Sequence, residues 1–241
     1  MESTLNVSLS SQVAISRRLE TVARNVANMN TVGYRADEVK FSQLLSTAGE
    51  DPVSFANGGE LYISRQHGAL SKTDNQLDVA VEGDGWLALR TPAGVAYTRD
   101  GRLTMGSDGV LRSVNDYPVL DAGGLPIALD PEAGPPTIAR DGMVFQGQNQ
   151  LGALGLFAIG PEAKLARLDN SAVIPDQPAT PILDFTKDGV VQGYTESSNV
   201  NPIREMTRMI ELTRTFESVS KMIDSGSENQ QRVIRELGDA T

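Results

Sequence analysis

The stretch ARNVANMNTVGYR, Ala23–Arg35, closes a heptad-patterned segment at the N-terminus, and SSNVNPIREMTRMIELTRTFESVSKMI, Ser197–Ile223, opens another at the C-terminus. Working back from the first, Met1, Leu5, Ser8, Gln12, Ile15, Leu19, Val22, Val26 and Met29 recur at alternating steps of three and four. That spacing keeps them on one side of a helix wound at about 3.5 residues per turn. The stripe is strongly apolar only from Ile15 onward. Polar Ser8 and Gln12 weaken its first half, which is therefore expected to order only when a partner adds buried surface. Asn28, Asn30 and Gly33 end the helix, because Gly and Asn tolerate the left-handed conformation that closes a last turn.

At the other end Asn201-Pro202 is a start signal: Asn201 caps, and Pro202 takes the first helical position, where its missing donor costs nothing. From there Met209, Leu212, Phe216, Val219, Ile223, Gly226, Gln230, Val233 and Leu237 alternate three and four. A helix from Pro202 to Leu237 would run roughly 54 Å, the length of a coiled coil or a bundle wall. Periodicity alone leaves open a long amphipathic helix packed on its own domain.

Between the two ends the pattern changes. LDVAV, WLALR, VAYTR, RLTM, VLRSV, YPVL, LPIAL and ALGLFAI are strand-length apolar pieces bounded by Gly and Asp. Asp-Gly pairs at 84–85, 100–101, 108–109, 141–142 and 188–189 are expected to supply the positive φ of two-residue hairpin turns, and so antiparallel meanders. Pro at 131, 135, 136, 161, 175, 178 and 181 favours connections or edge strands. The expected class is α+β: long N- and C-terminal helices pairing as a coiled coil around a central, mainly antiparallel β domain. The divisions are 1–35, helical; 36–76, an extended link; 77–184, β-rich; 185–201, a return link; and 202–241, helical.

Composition limits what such a chain can do. With 5% aromatic residues among 39% hydrophobic ones, core burial rests on Val, Leu, Ile and Ala. A net charge of −10 with no basic patch argues against nucleic acid, whose phosphates need clustered Lys or Arg. No run of eighteen apolar residues suggests a membrane span, and no basic start with an apolar block suggests a cleavable signal. The absence of Cys removes disulfides, thiolate catalysis and Cys-ligated zinc.

No convincing active site emerges. His67 is the sole histidine, so two-imidazole metal sites are excluded; within Ser64–Gly68 it reads as a surface residue. Asp84, Asp100 and Asp108 do not have EF-hand spacing and read as turn formers. Gly83-Asp84-Gly85 lacks the third Gly and the following helix of a dinucleotide fold, and the Lys of a phosphate loop. No pair of carboxylates is singled out for acid/base work. The expectation is no enzyme, no cofactor, no metal and no small-molecule substrate.

Asn25-Val26-Ala27-Asn28-Met29-Asn30-Thr31-Val32-Gly33-Tyr34-Arg35 resembles the N-terminal signature of the bacterial flagellar axial proteins of rod and hook. Asn199-Val200-Asn201, Glu205-Met206, Ile210-Glu211, Arg214, Phe216-Glu217 and Ser220-Lys221 resemble the closing helix of the same family, and Leu77–Leu89 with Ala96–Leu111 its β segment. Arg24 departs from the commonest signature, which has Asn there. Chain length fits the two rod members of middle size, and Phe216 and Val219, where the distal member carries Tyr and Asn, lean towards the proximal rod.

The resemblance implies a structural rod subunit that assembles with itself and other rod proteins into a torque-transmitting tube. It implies passage through the flagellar type III export apparatus without a cleavable signal. The residues expected at the assembly interface are Ile15, Leu19, Val22, Asn25, Val26, Asn28, Met29 and Gly33 on the first segment, and Met209, Leu212, Phe216, Val219 and Ile223 on the second. The alternatives are the distal rod protein, or a β-rich binding domain with coiled-coil oligomerisation ends.

Overall fold

A computed structural model describes residues 2–40, 43–46, 53–56 and 59–238. Contacts divide the chain into two compact units. The first comprises residues 1–27, 37–64 and 201–241; the second comprises 28–36 and 65–200. Neither follows the sequence divisions, because each unit is closed by segments far apart in the chain.

The first unit is built on α1 (Glu2–Ala27) and α2 (Pro202–Gly238). They run antiparallel: Gln12 Nε2 donates to Ser220 Oγ at 3.1 Å towards one end, and Asn25 Nδ2 to Glu205 Oε2 at 3.3 Å towards the other. Ile15, Val22 and Leu212 are buried between them, with Leu19, Val26, Met209, Phe216 and Val219 packed on these three. The heptad spacing thus marks the faces that meet. Asn201 caps α2 as its position suggests: its Oδ1 accepts from Arg204 N at 3.1 Å, three residues on, and its carbonyl accepts from Glu205 N.

The stretch expected as an extended link carries strands. β1 (Asp37–Lys40) pairs antiparallel with β4 (Glu60–Ile63), and β2 (Gln43–Ser46) with β3 (Val53–Ala56). In the β1/β4 ladder only Ile63 is buried, while Leu61 and Tyr62 are exposed. A ladder buried on so few positions shows no apolar alternation, so a polar sequence concealed it.

The second unit is antiparallel β. Its strands are β5 (Leu70–Lys72), β6 (Val79–Glu82), β7 (Trp86–Thr91), β8 (Gly94–Thr98), β9 (Leu103–Met105), β10 (Leu111–Ser113), β11 (Thr137–Ile138), β12 (Met143–Gln146) and β13 (Asn149–Ala153). They continue with β14 (Leu156–Ala158), β15 (Leu165–Arg167), β16 (Ala172–Pro175), β17 (Thr180–Pro181), β18 (Gly189–Gln192) and β19 (Tyr194–Glu196). Six form one sheet in the order β15-β16-β8-β7-β14-β17. Smaller ladders join β9 to β10, β11 to β12 to β13, β6 to β18 and β5 to β19. The core is Val, Leu, Ile and Ala, among them Val79, Val81, Leu87, Leu89, Leu111, Val119, Val144, Leu156 and Val190. This is the composition expected of a chain with few aromatics.

The Asp-Gly pairs need correcting. Gly109 and Gly142 have positive φ, but Gly85, Gly101 and Gly189 do not. In three of the five pairs the aspartate closes a side-chain turn: Asp100, Asp108 and Asp141 each accept the backbone N–H two residues on, at 3.1, 3.1 and 3.0 Å. Asp188 instead reaches across to the N–H groups of Asp84 and Gly85. The tight β12–β13 hairpin turns on Gly147-Gln148, with Gly147 at φ +60°.

Candidate assembly interface

In the first unit the polar centre is Asn25. Its Oδ1 accepts from Asp37 N and its Nδ2 donates to Asp37 O, both at 2.9 Å, so one amide satisfies both backbone groups at the start of β1. The same Nδ2 reaches Glu205 on α2, whose other oxygen takes Arg208 Nη1 at 2.6 Å. Asn25 and Glu205 are buried. Asn25→Ala would take this partner from the part-buried N–H and carbonyl of Asp37 and from buried Glu205, at a cost of about 1–3 kcal/mol. Urea unfolding followed by circular dichroism should record that loss as a lower midpoint at unchanged slope.

Seam residues Ile15, Leu19, Val22, Val26, Met209, Leu212, Phe216 and Val219 meet one another within the chain. Ile223, Asn28 and Met29 are half-buried. A second apolar set was missed by the sequence reading. Ile203, Met206 and Ile210 on α2 stand 79, 45 and 54% exposed, Met222 is also exposed, and Leu9 and Val13 are exposed on α1. Ile203, Met206 and Ile210 follow the same three-and-four spacing just upstream of the seam. The signal was present, but a single-stripe reading assigned α2 only one apolar face.

In the second unit the rest of the signature is built into a buried charge cluster. Gly33 takes φ +69° and donates its N–H to Glu196 O at 2.7 Å. Tyr34 is buried, with the Arg167 guanidinium 4.4 Å over its ring, and Arg167 Nη2 donates to Arg35 O at 2.6 Å. Glu196, 1% exposed, holds two cations at once: Arg35 Nη2 lies 2.7 Å from Oε1, and Arg99 Nε 2.7 Å from Oε2. Gly68 N donates to Oε1 as well.

Arg99 spends its other donors on the carbonyls of Val81, Gly83 and Gly85 and on His67. Burial, opposed by Glu196 and reinforced by the like charge of Arg99, brings the Arg35 guanidinium down to about 10, still charged at neutral pH. Asn199 of the closing motif then clamps the signature. Its Oδ1 accepts from Ala36 N at 2.7 Å, while its Nδ2 donates to Gln66 O at 2.8 Å.

His67 is half-exposed, as a surface residue would be, yet it is held on both sides. Nδ1 lies 2.9 Å from Arg99 Nη2 and 3.3 Å from Arg35 Nη2, and Nε2 3.0 Å from Asp84 Oδ1. Guanidinium nitrogens only donate, so Nδ1 accepts and Nε2 carries the proton given to Asp84. Among the described residues no group of His, Asp and Glu is placed to hold a metal, and no helix is long and apolar enough to cross a membrane.

The two ends and the β body each match a known family. Residues 5–35 match the flagella basal body rod protein family, 80–146 the flagellar hook protein FlgE/F/G D1 domain, and 191–236 the flagellar basal body rod FlgEFG protein C-terminal region. The flagellar basal-body rod protein FlgF of Mesorhizobium japonicum is 45% identical over 238 residues, covering 99% of each chain. The chain belongs to the flagellar basal-body rod protein family. Its FlgF relative in Rhizobium meliloti is 43% identical over 238 residues, again with 99% of both chains covered. FlgG of Caulobacter vibrioides is 27% identical over 260 residues, covering 94% of this chain and 96% of its own. Within the rod family the resemblance is therefore stronger to these F-type relatives than to that G-type one. The signature residues Asn25 to Arg35 and the closing residues Glu196, Asn199 and Glu205 fall inside the matched end regions.

Proposed function

We propose that this chain is a structural subunit of the flagellar basal-body rod, of the proximal F type, and carries no catalytic activity. It reaches the basal body through the flagellar type III export apparatus without a cleavable signal. There it assembles with copies of itself and other rod proteins into the axial tube that transmits motor torque. The observation that carries the reading is the pair of terminal helices. One face of each is used up in the α1–α2 seam, while Leu9 and Val13 on α1 and Ile203, Met206 and Ile210 on α2 remain exposed.

Fully burying a large apolar side chain stabilises by about 1.5–3 kcal/mol, so the three α2 residues together supply a contact strong enough to order a helix against its neighbours. The seam itself, with Asn25 and Ile223 on the same two helices, belongs to the same wall, as a coiled coil completed in the tube; Asn28, Met29 and Gly33 are proposed as further assembly contacts. Assembly and folding are then coupled.

Ile210→Lys should leave the soluble chain folded, with unchanged thermal unfolding, yet fail to restore swimming or complete basal bodies in a strain lacking the gene. A deletion strain that still builds whole, rotating basal bodies would overturn the rod reading. Coupled folding also predicts that trypsin trims both ends of the isolated chain and that its helix content lies well below that of two full terminal helices. A monomer already resistant and fully helical would remove the coupling and leave the rod assignment standing.

A further inference from the structure

Outside the α1–α2 seam the first unit exposes two apolar patches, Leu9 with Val13 on α1 and Ile203 with Met206 and Ile210 on α2. Helix geometry fixes where they point. At about 100° per residue, each patch centres roughly 130° round its helix from the seam residues, in the same rotational sense along the chain. Because α1 and α2 are antiparallel, equal senses put both patches on one broad side of the pair, directed to opposite flanks. Met222, also exposed, lies about 100° from the seam in the other sense, on the opposite side.

The patches also stand at different heights. Gln12 meets Ser220 and Asn25 meets Glu205, so the numbers of residues level with each other add up to 232 and 230. Leu9 with Ile210, and Val13 with Met206, add up to 219 in both cases. Bringing those residues level takes a shift of about 12 residues, or roughly 18 Å along the axis at 1.5 Å per residue. One copy therefore cannot cover its own patches.

Two copies can. Leu9 and Val13 are four residues apart, as are Met206 and Ile210, so an α1 laid antiparallel on a neighbour's α2 brings both pairs together at once. One turn further on, small Ser16 leaves room for Ile203. We infer that α1 of one copy docks through Leu9 and Val13 on Met206 and Ile210 of a second copy of this chain, the two lying parallel and displaced by roughly 18 Å along the helix axis.

The inference rests on the rod reading, which requires one contact repeated in one direction. Since the two patches differ, each copy offers α2 to one neighbour and α1 to the other, and the axial step keeps the series open instead of closing it into a ring. A two-fold contact of α2 on α2 would set the copies antiparallel and leave Leu9 and Val13 bare. The contact is also small. Five side chains fall well short of the roughly 1,200 Å² that a stable pair of proteins buries, so it holds copies together only where neighbouring contacts add to it.

The chain has no Cys, so introduced pairs report alone. Val13→Cys/Met206→Cys and Leu9→Cys/Ile210→Cys each probe the same register. A disulfide needs Cα atoms about 4.4–6.8 Å apart, which excludes either pair within one copy. Each double variant replaces the native gene, and isolated basal bodies are oxidised with copper–phenanthroline and run on a non-reducing gel. Both pairs should give a ladder of this chain running past the dimer, which reduction collapses. The single variants and Val13→Cys/Met222→Cys should stay monomeric. Should a pair alone not assemble, co-expression with the unsubstituted chain carries it into basal bodies, and cross-linked dimers then give the same answer.

A chain present in basal bodies but uncross-linked in both pairs overturns the contact. So does a dimer from Met206→Cys alone, which would mean α2 on α2, or a monomer bridged internally. Absence of the unsubstituted chain from basal bodies overturns the rod reading itself, and the contact with it.

Discussion

Glu196→Gln is expected to destabilise the β unit by about 3–5 kcal/mol, the range for removing one partner of a buried ion pair. The effect is large because Glu196 is shared. Arg35 and Arg99 sit on its two oxygens, each at 2.7 Å, and all three side chains are almost completely buried. Without the carboxylate, two guanidinium groups face each other in a medium where like charges are poorly screened. Their remaining support is the Trp86 ring, 5.8 and 6.0 Å from the two guanidinium carbons, together with neutral carbonyls and His67. Such contacts contribute about 0.5–2 kcal/mol each and cannot replace a shared anion.

Gln retains the shape and one oxygen acceptor, so the loss is one of charge and not of volume. In thermal unfolding it should appear as a fall of roughly 6–20 °C. A fall of less than about 2 °C would mean that the cluster contributes little beyond packing. Adding Arg99→Met to Glu196→Gln removes one of the stranded cations and should recover part of the loss. A double variant no more stable than the single would count against charge as the cause.

Much of the helical unit was legible because its determinants are local. The spacing from Ile15 to Val26 and from Met209 to Val219 marks the faces that meet, and Asn201-Pro202 marks the start of α2. The short apolar pieces became strands for a similar reason: burial in the second unit selects apolar residues in short consecutive runs, as at Val79–Val81 and Trp86–Leu89. Ladders with little burial do not impose that pattern, and so Asp37–Lys40 and Glu60–Ile63 passed for a link.

The charge cluster was hidden for another reason. Arg35, His67, Arg99 and Glu196 are spread over some 160 residues, and each alone looks like an ordinary surface charge. Only the pairing of β19 with β5, together with the seating of residues 28–36, brings them together. The Asp-Gly pairs failed in a third way. The dipeptide was read for its glycine, whereas at Asp100 and Asp188 the structure uses the aspartate.

Gly33→Ala should be among the costliest single substitutions in the signature, at about 2–5 kcal/mol. Two effects combine. Gly33 has φ +69°, where an L side chain costs about 1–2 kcal/mol. A Cβ there would also stand 2.3 Å from Asp100 N and 2.6 Å from the Arg99 carbonyl carbon, both backbone atoms. The obstructing strand end cannot easily withdraw. Asp100 N donates to Thr98 Oγ1 at 3.0 Å, Asp100 Oδ1 accepts from Arg102 N, and Arg99 is fixed on Glu196. Overpacking against such a surface typically costs a further 1–3 kcal/mol.

Gly147 separates the two effects. It has φ +60°, but a Cβ on it would meet nothing within 4 Å, so Gly147→Ala should show the conformational cost alone. If Gly33→Ala unfolds at the same urea concentration as Gly147→Ala, the close approach of residue 33 to Asp100 contributes nothing. If it is the less stable by the expected margin, relief should come from the Asp100 side. Thr98→Ala removes one anchor of that backbone and should lower the stability of the native chain, while costing less in the Gly33→Ala background. Such non-additivity between contacting sites is the signature of a shared strain.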